Sequence, residues 1–174
     1  MYDDLIALAE QLATMDRGKP KQAHLRRAVS TAYYALFHLL VEESCRVQMG
    51  SASSQKAYRH SLGRAFVHTV MKDACRSYAG GTLPSTIAKG LPQSSKMYAV
   101  PKPIQLIASR FVDLQESRHA ADYDLRERFK RSDVLKLIDE TRADVDAFRK
   151  TGESDDRKFF LLCLIAWKDL AKRQ

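Results

Sequence analysis

The sequence predicts an all-α fold, an up-and-down bundle of about five to six helices. Apolar residues recur at helical spacing along most of the chain, and no segment alternates apolar and polar residues for long enough to form a convincing strand. A chain of 174 residues with 45% hydrophobic content is sufficient for one core. We therefore expect one domain over residues 1–174, with no internal repeat.

Two helices are predicted at the start of the chain, from about residue 3 to near Gly50. The first runs from about Asp3 to Met15, where acidic residues suit the positive end of the helix dipole. Gly18 and Pro20 end it, and the second helix begins near Pro20. Because residues 28 to 41 are apolar almost all the way round, we expect the second helix to be central.

A third helix and a long connection are expected next. The serine-rich stretch 51–54 supplies a cap for a helix over about residues 55–78, which stops at Gly80 and Gly81. Residues 79–99 are rich in glycine and proline, and a connection of this length is unusual in a compact bundle. We expect a functional or partly mobile loop there.

Three helices complete the prediction. Pro101 and Pro103 open the fourth, which ends in a polar octet and a charged break over residues 126–131. A fifth helix spans about residues 132–150, and the last begins near residue 154 with an apolar run over residues 159–167.

The polar octet, residues 118–125, is the most informative segment of the chain. The apolar stripe of the fourth helix continues onto Arg118, Ala121 and Leu125, which places a charge on the core-facing side. Asp122 lies one turn after Arg118 and is spaced to neutralise it, and His119 is spaced to meet Tyr123. A buried ion pair adds little net stability, so a functional role competes with a structural one, and both stay open at this stage.

Charge favours an anionic partner, for which nucleic acid is the commonest candidate. The formal net charge is +8 and the sequence pI is about 9.5. Two basic clusters flank the start of the second helix and follow the octet, and together they would suit an RNA backbone if they adjoin; a merely solvated face is the alternative. They comprise Arg17, Lys19, Lys21, Arg26 and Arg27, and Arg126, Arg128, Lys130 and Arg131.

A polar stripe on the second helix is a further candidate. Arg27, Thr31, Tyr34 and His38 follow spacings of about four, three and four residues on an otherwise apolar cylinder. Either an internal hydrogen-bond network or direct contact with substrate explains it. His60, in the third predicted helix, is a second histidine considered for the same site.

Other classes of protein and site are disfavoured. No signal-like or membrane-spanning segment is apparent, so we expect a cytoplasmic protein without membrane contact. The three cysteines are odd in number and far apart, which indicates reduced packing residues. Glu116 and His119 have the spacing of a di-iron motif, but only one copy exists, so no metal and no other cofactor is expected.

Two segments resemble HEPN domains. The stretch Leu25-Arg-Arg-Ala-Val-Ser-Thr-Ala-Tyr-Tyr-Ala-Leu-Phe-His-Leu-Leu40 is similar to the second-helix signature of that family. Arg118-His-Ala-Ala-Asp-Tyr-Asp124 is similar to an Arg-x-x-Ala-Asp-Tyr-Asp segment of one bacterial branch. The resemblance covers about residues 20–130, with the helices over residues 132–172 completing the bundle.

The resemblance implies a dimeric helical protein that interacts with RNA, as a metal-independent ribonuclease in toxin-antitoxin systems, phage defence or RNA metabolism. We accordingly expect Arg118 to contact the phosphate and Asp122 to orient Arg118. If the chain is catalytic, we expect His119 to transfer the proton, and we expect Tyr123 to donate a hydrogen bond or to serve as a regulatory position. The partners that the resemblance implies are RNA, a second copy of the chain, and a cognate nucleotidyltransferase antitoxin or a larger effector protein.

One departure from the family pattern favours an alternative. The family motif is an arginine, a polar residue and then a histidine after four to six intervening positions, and here Tyr123 takes the first of those places. Tyrosine, with a pKa near 10, is a poorer base at neutral pH than histidine, whose pKa is about 6.5. The alternatives are a non-catalytic HEPN module that binds RNA or a protein, and a structural subunit of a larger complex. The candidate site comprises Arg118, His119, Asp122 and Tyr123 as catalytic residues and Arg27, Tyr34, His38, His60, Arg126 and Arg128 as substrate-binding residues.

Overall fold

The computed structural model describes residues 1–89 and 98–172 and confirms the all-α prediction. Residues 90–97 of the predicted long connection lie outside the described residues. The elements in chain order are α1 (Tyr2–Thr14), α2 (Gln22–Met49), a 3₁₀ turn (Ser53–Gln55), α3 (Lys56–Gly63), α4 (His68–Ala79), β1 (Thr82–Leu83), α5 (Ser85–Ala88), β2 (Tyr98–Ala99), α6 (Lys102–Tyr123), α7 (Arg131–Arg149) and α8 (Asp155–Lys172).

The described residues contain eight α-helices, more than the sequence predicts. The predicted helix over residues 55–78 is two helices, because α3 ends at Gly63 and Val67 is extended before α4 begins. Glycine weakens a helix interior, and the buried ring of Phe66 occupies the break.

The described residues also contain one short strand pair, which the sequence does not predict. Thr82 pairs with Ala99 and Leu83 with Tyr98 in an antiparallel ladder of two residues. Two residues are too few for an alternating pattern to be recognised in the sequence.

The chain divides into two compact units, Met1–Leu39 with Arg110–Asp146 and Leu40–Ser109 with Ala147–Gln174, called here the first and second units. Helices α2 and α6 contribute residues to both.

The first unit has an aromatic and aliphatic core with ion pairs between its helices. Tyr33 on α2 packs against Phe111 on α6, with ring centroids 5.7 Å apart, and both are fully buried. Arg110 Nε lies 2.8 Å from the carboxylate of Asp144, which links α6 to α7. Arg131, at the start of α7, donates hydrogen bonds to three carbonyls around the end of α1, those of Ala13, Asp16 and Gly18.

The second unit packs α4 on α8. The rings of Tyr78 and Phe160 meet edge to face at 4.8 Å between centroids. All three cysteines are free and buried, which agrees with their prediction as packing residues, and burial raises the pKa of Cys163 to about 11. Within residues 1–89 and 98–172, none of the helices combines the length and the apolar character needed to cross a bilayer.

Candidate functional site

Arg118 lies in the first unit and is held by an acidic residue on its own helix. Its Nε atom is 2.7 Å from Asp122 Oδ2, and the side chains of the two residues are 25% and 29% exposed. The contact is an ion pair without good hydrogen-bond direction, since Nε has no hydrogen-bond partner among the described residues. Ser30 on α2 donates a hydrogen bond of 2.7 Å to Asp122 Oδ1, so the carboxylate is fixed from a second helix. This arrangement orients the Arg118 guanidinium.

Aromatic rings surround that guanidinium. Its central carbon lies 5.9 Å from the ring centroid of Tyr33 and 5.8 Å from those of Tyr34 and Tyr123, within the range of cation–π attraction. The Tyr34 hydroxyl accepts a hydrogen bond of 3.4 Å from Arg118 Nη2. Burial acts to lower the pKa of Arg118, but Tyr34 and Asp122 outweigh it and raise that pKa above its usual value. Arg118 is therefore a stable cation.

His119 and Tyr123 form the outer part of the same helix end. Their ring centroids are 5.0 Å apart with the planes tilted by 49°. His119 is exposed and Tyr123 is 65% exposed, so a ligand can reach both rings from solvent. An exposed imidazole beside a phenol and a cation is a set of groups suited to proton transfer near a phosphate.

The octet differs from the prediction in one respect. Leu125, expected on the core stripe, is 84% exposed, because α6 ends at Tyr123 and the chain leaves the helix before that position. Arg118 is also only partly buried rather than enclosed in a core. The stripe therefore ends at Ala121, which is buried.

The polar stripe of α2 separates into two environments. Arg27 is exposed, and its carbonyl accepts a hydrogen bond of 2.7 Å from the buried Thr31 hydroxyl. Tyr34 and His38 are half-buried, with ring centroids 6.4 Å apart. Burial, with a smaller contribution from the positive amino terminus, lowers the pKa of His38. The lowered pKa favours the neutral imidazole at pH 7. The Tyr34 ring lies near both His38 and the Arg118 guanidinium.

The two basic clusters adjoin. Gln22 and Arg26, on the first two turns of α2, donate hydrogen bonds to main-chain carbonyls in the segment after α6, including those of Phe129 and Glu127. The same surface of the first unit therefore carries cations from both clusters. The exposed cations are Arg17, Lys19, Lys21, Arg27, Arg126, Arg128 and Lys130.

Two members of the predicted clusters have structural partners instead. Arg26 binds carbonyls at the end of α6 and beyond it, and Arg131 binds carbonyls at the end of α1. Asp124 and Glu127 are exposed acidic residues within the basic segment. The surface keeps a positive balance, since the seven exposed cations outnumber the exposed carboxylates in this part of the chain, which are Asp122, Asp124, Glu127 and Asp133.

His60 is an exposed residue of α3 and belongs to the second unit. Within residues 1–89 and 98–172, no three or more His, Cys, Asp or Glu side chains are grouped so as to hold a metal ion.

Residue spacing finds the local pairs of this site but misses its long-range partners. The sequence does not identify Ser30 or Gln22 as site residues, because a serine or glutamine in a helix carries no signal for a distant partner. Ser30 and Asp122 are 92 positions apart in the chain, and Gln22 and Phe129 are 107 apart. No family model, curated protein or solved structure matches the chain in comparisons with known proteins. The likeness to HEPN domains accordingly rests on the two segments quoted above.

Proposed function

We propose that the protein binds RNA through the first unit and cleaves it without a metal ion. The observation that supports this proposal is the juxtaposition of two features: a surface bearing seven exposed cations, and the end of α6, where Arg118, His119 and Tyr123 are gathered. Backbone phosphates pair with such cations, and exposed aromatic rings stack on unpaired bases. The proposal places the protein where RNA is available, in the cytoplasm.

In the proposed reaction the ribose 2′-hydroxyl attacks the adjacent phosphorus atom. His119 takes the 2′ proton, the bond from phosphorus to the 5′ oxygen breaks, and that oxygen leaves with a proton from a second acid. The products are a 2′,3′-cyclic phosphate and a 5′-hydroxyl. Arg118, oriented by Asp122, stabilises the charge that develops on the phosphate oxygens, and Tyr123 donates a hydrogen bond. A second copy of the chain supplies the second acid in a homodimer.

A non-catalytic module is the second candidate, and two observations favour it. Asp122 already neutralises Arg118, and tyrosine stands where the family motif expects histidine. In that case the same surface binds RNA or docks a partner, with a cognate nucleotidyltransferase antitoxin or a larger effector protein as the proposed kinds of partner.

The cleavage experiment uses total cellular RNA with EDTA present. Wild type is compared with Arg118→Ala and His119→Ala, and Arg64→Ala, an exposed arginine on the second unit, is the control for simple loss of charge. Cleavage that Arg64→Ala retains and the other two variants lose supports the ribonuclease. Absence of cleavage by folded, dimeric wild type contradicts it and leaves the binding module.

The binding experiment measures affinity for a single-stranded RNA oligonucleotide as a function of salt. Each phosphate contact contributes about −0.7 to the slope of log K against log salt for single strands. Replacing both Arg126 and Arg128 with glutamine is therefore expected to reduce the magnitude of the slope by about 1.4. The matched control replaces Lys56 and Arg64, two exposed cations of the second unit, and an equal change there would contradict a specific RNA surface.

A further inference from the structure

The segment after α6 is clamped by one arginine of α2. Arg26 Nη1 donates hydrogen bonds to the carbonyls of Ala121 at 2.7 Å and Ala120 at 3.3 Å, in the last turn of α6. Its Nη2 donates to the carbonyls of Asp124 at 2.9 Å and Glu127 at 2.7 Å, beyond the helix end. One guanidinium therefore ties the last helical turn to the loop that follows it.

Gln22, one turn before Arg26, clamps the far end of the same segment. Its side-chain amide donates to the Phe129 carbonyl at 2.8 Å and accepts from the Phe129 N–H at 3.0 Å. The Phe129 ring lies 5.7 Å from the Arg26 guanidinium carbon. Residues 124–129 are thus fixed at both ends from a single face of α2.

The contacts from Arg26 and Gln22 supply hydrogen-bond partners that residues 124–129 and the end of α6 largely lack among themselves. The last carbonyls of a helix lack intrahelical donors, and a charged donor forms a stronger hydrogen bond than a neutral one. Within the segment, the local contacts are a turn in which Asp124 Oδ1 accepts from the Arg126 N–H at 2.9 Å and a long bond of 3.3 Å from the Glu127 N–H to the Asp124 carbonyl. With the Asp124 N–H, which donates to the Ala120 carbonyl at 3.0 Å, these are few local restraints for six residues.

We infer that Arg26 and Gln22 are positioning residues that hold residues 124–129 in one conformation and thereby present Arg126 and Arg128 to the RNA backbone. This role rests on the proposed RNA-binding function, whereas the clamp itself does not. Arg26 binds carbonyl groups of the loop, so its effect depends on the positions of its hydrogen-bond donors as well as on its charge.

The clamp is tested by limited trypsin digestion of the intact chain. Arg26→Gln is expected to increase the rate of cleavage after Arg126 and Arg128 by about tenfold or more, because the loop opens more often once its charged hydrogen bonds are lost. Arg27→Gln removes the same charge from the neighbouring, exposed position and is expected to leave these two rates unchanged. Cleavage after Lys56, in the second unit, serves as the internal standard. Equal rates in Arg26→Gln and wild type would overturn the clamp.

A second variant guards against general unfolding. Gln22→Ala removes only the contacts to Phe129 and is expected to give an intermediate increase in cleavage after Arg128, with the helical circular dichroism of wild type. If Arg26→Gln loses that helical signal, the Gln22→Ala rates decide the matter, and wild-type rates there would overturn the inference.

The positioning role is tested by a double-mutant cycle on RNA affinity. If Arg26 presents the two loop arginines, Arg126→Gln with Arg128→Gln costs several-fold less affinity in the Arg26→Gln background than in wild type. Additive losses would overturn the positioning role and leave Arg26 as one charge among others. A wild-type chain that binds no RNA overturns the proposed function and the positioning role together, and the trypsin rates still report on the clamp.

Discussion

Arg157 and Glu43 form a nearly enclosed ion pair in the second unit, and its disruption has a calculable cost. Arg157 Nη2 lies 2.7 Å from Glu43 Oε2, and the two side chains are 10% and 16% exposed. Arg157 Nη1 donates to the Gly152 carbonyl at 2.7 Å, and the guanidinium carbon is 4.7 Å from the Phe148 ring centroid. Replacing Glu43 with glutamine keeps the shape and removes the charge that balances Arg157.

Glu43→Gln is expected to destabilise the fold by about 3 kcal/mol. Breaking a buried ion pair costs about 3–5 kcal/mol, and the lower end applies because the glutamine oxygen still accepts a hydrogen bond. Arg157→Met is expected to cost about 2 kcal/mol, less than the first variant, since Glu43 keeps Arg46 as a partner at 3.2 Å. In the double variant no charge is stranded, so we expect a total near 3 kcal/mol and a coupling of about 2 kcal/mol.

Urea unfolding followed by circular dichroism at 222 nm measures these values. With a slope of about 2 kcal/mol per molar urea, the Glu43→Gln midpoint falls by about 1.5 M. Glu42→Gln, the exposed neighbour, is the matched control and is expected within about 0.5 kcal/mol of wild type. A Glu43→Gln midpoint equal to that of Glu42→Gln, or strictly additive losses in the double variant, would refute the argument that Arg157 needs its partner.

Two further predictions concern the first unit. Arg131→Met is expected to lower the free energy of unfolding by about 2–3 kcal/mol, because three carbonyls lose a charged donor, whereas Lys130→Met at an exposed position is expected to be nearly neutral in the same urea assay. Hydrogen bonds from the main-chain N–H of Lys21 and, to a smaller extent, from His24 hold the pKa of Asp16 below its usual value. The Asp16 carboxylate therefore stabilises the folded state above the unfolded pKa of about 3.9, and this contribution is lost as pH falls through the folded pKa. Thermal midpoints of Asp16→Asn should therefore fall less than those of wild type between pH 6 and pH 3, and parallel curves would contradict the linkage.

The helices with continuous apolar periodicity could be predicted from the sequence, and the break between α3 and α4 could not. For α1, α2, α6, α7 and α8, predicted and observed ends agree to within a few residues. In the third predicted helix, apolar spacing continues across the break, so periodicity predicts one helix. Gly63 was the available signal: a Cβ there would contact Val41 and Cys45 at 3.6 and 3.7 Å, so the helix lies close to α2 at the point where it ends.

The short elements between α4 and α6, including the β1–β2 pair, could not be predicted from the sequence for another reason. The β1–β2 pair depends on Gly81, whose φ of +81° turns the chain, and on the hydrogen bond from the Val100 N–H to the Gly81 carbonyl. These determinants are a backbone conformation and a pairing between residues about twenty positions apart. A sequence pattern that reports side-chain burial contains neither of them.

At the candidate site, the sequence predicts contacts between side chains on one helix but not contacts between a side chain and main-chain atoms of a distant segment. Arg118 with Asp122, and His119 with Tyr123, follow from helical geometry alone, because residues four apart share a helix face. The sequence does not distinguish Arg26, whose guanidinium binds carbonyl groups, from its exposed neighbour Arg27.

The acceptors of Arg26 are carbonyl groups, which every residue has, so no residue type marks them in advance. The same holds for Arg131 at the end of α1. A basic residue count therefore overstates the charge available to a nucleic acid wherever arginines close helix ends. In this chain Arg26 is not available to pair with a phosphate, because its guanidinium binds the carbonyls of Asp124 and Glu127. Through these carbonyls it holds the loop that carries Arg126 and Arg128.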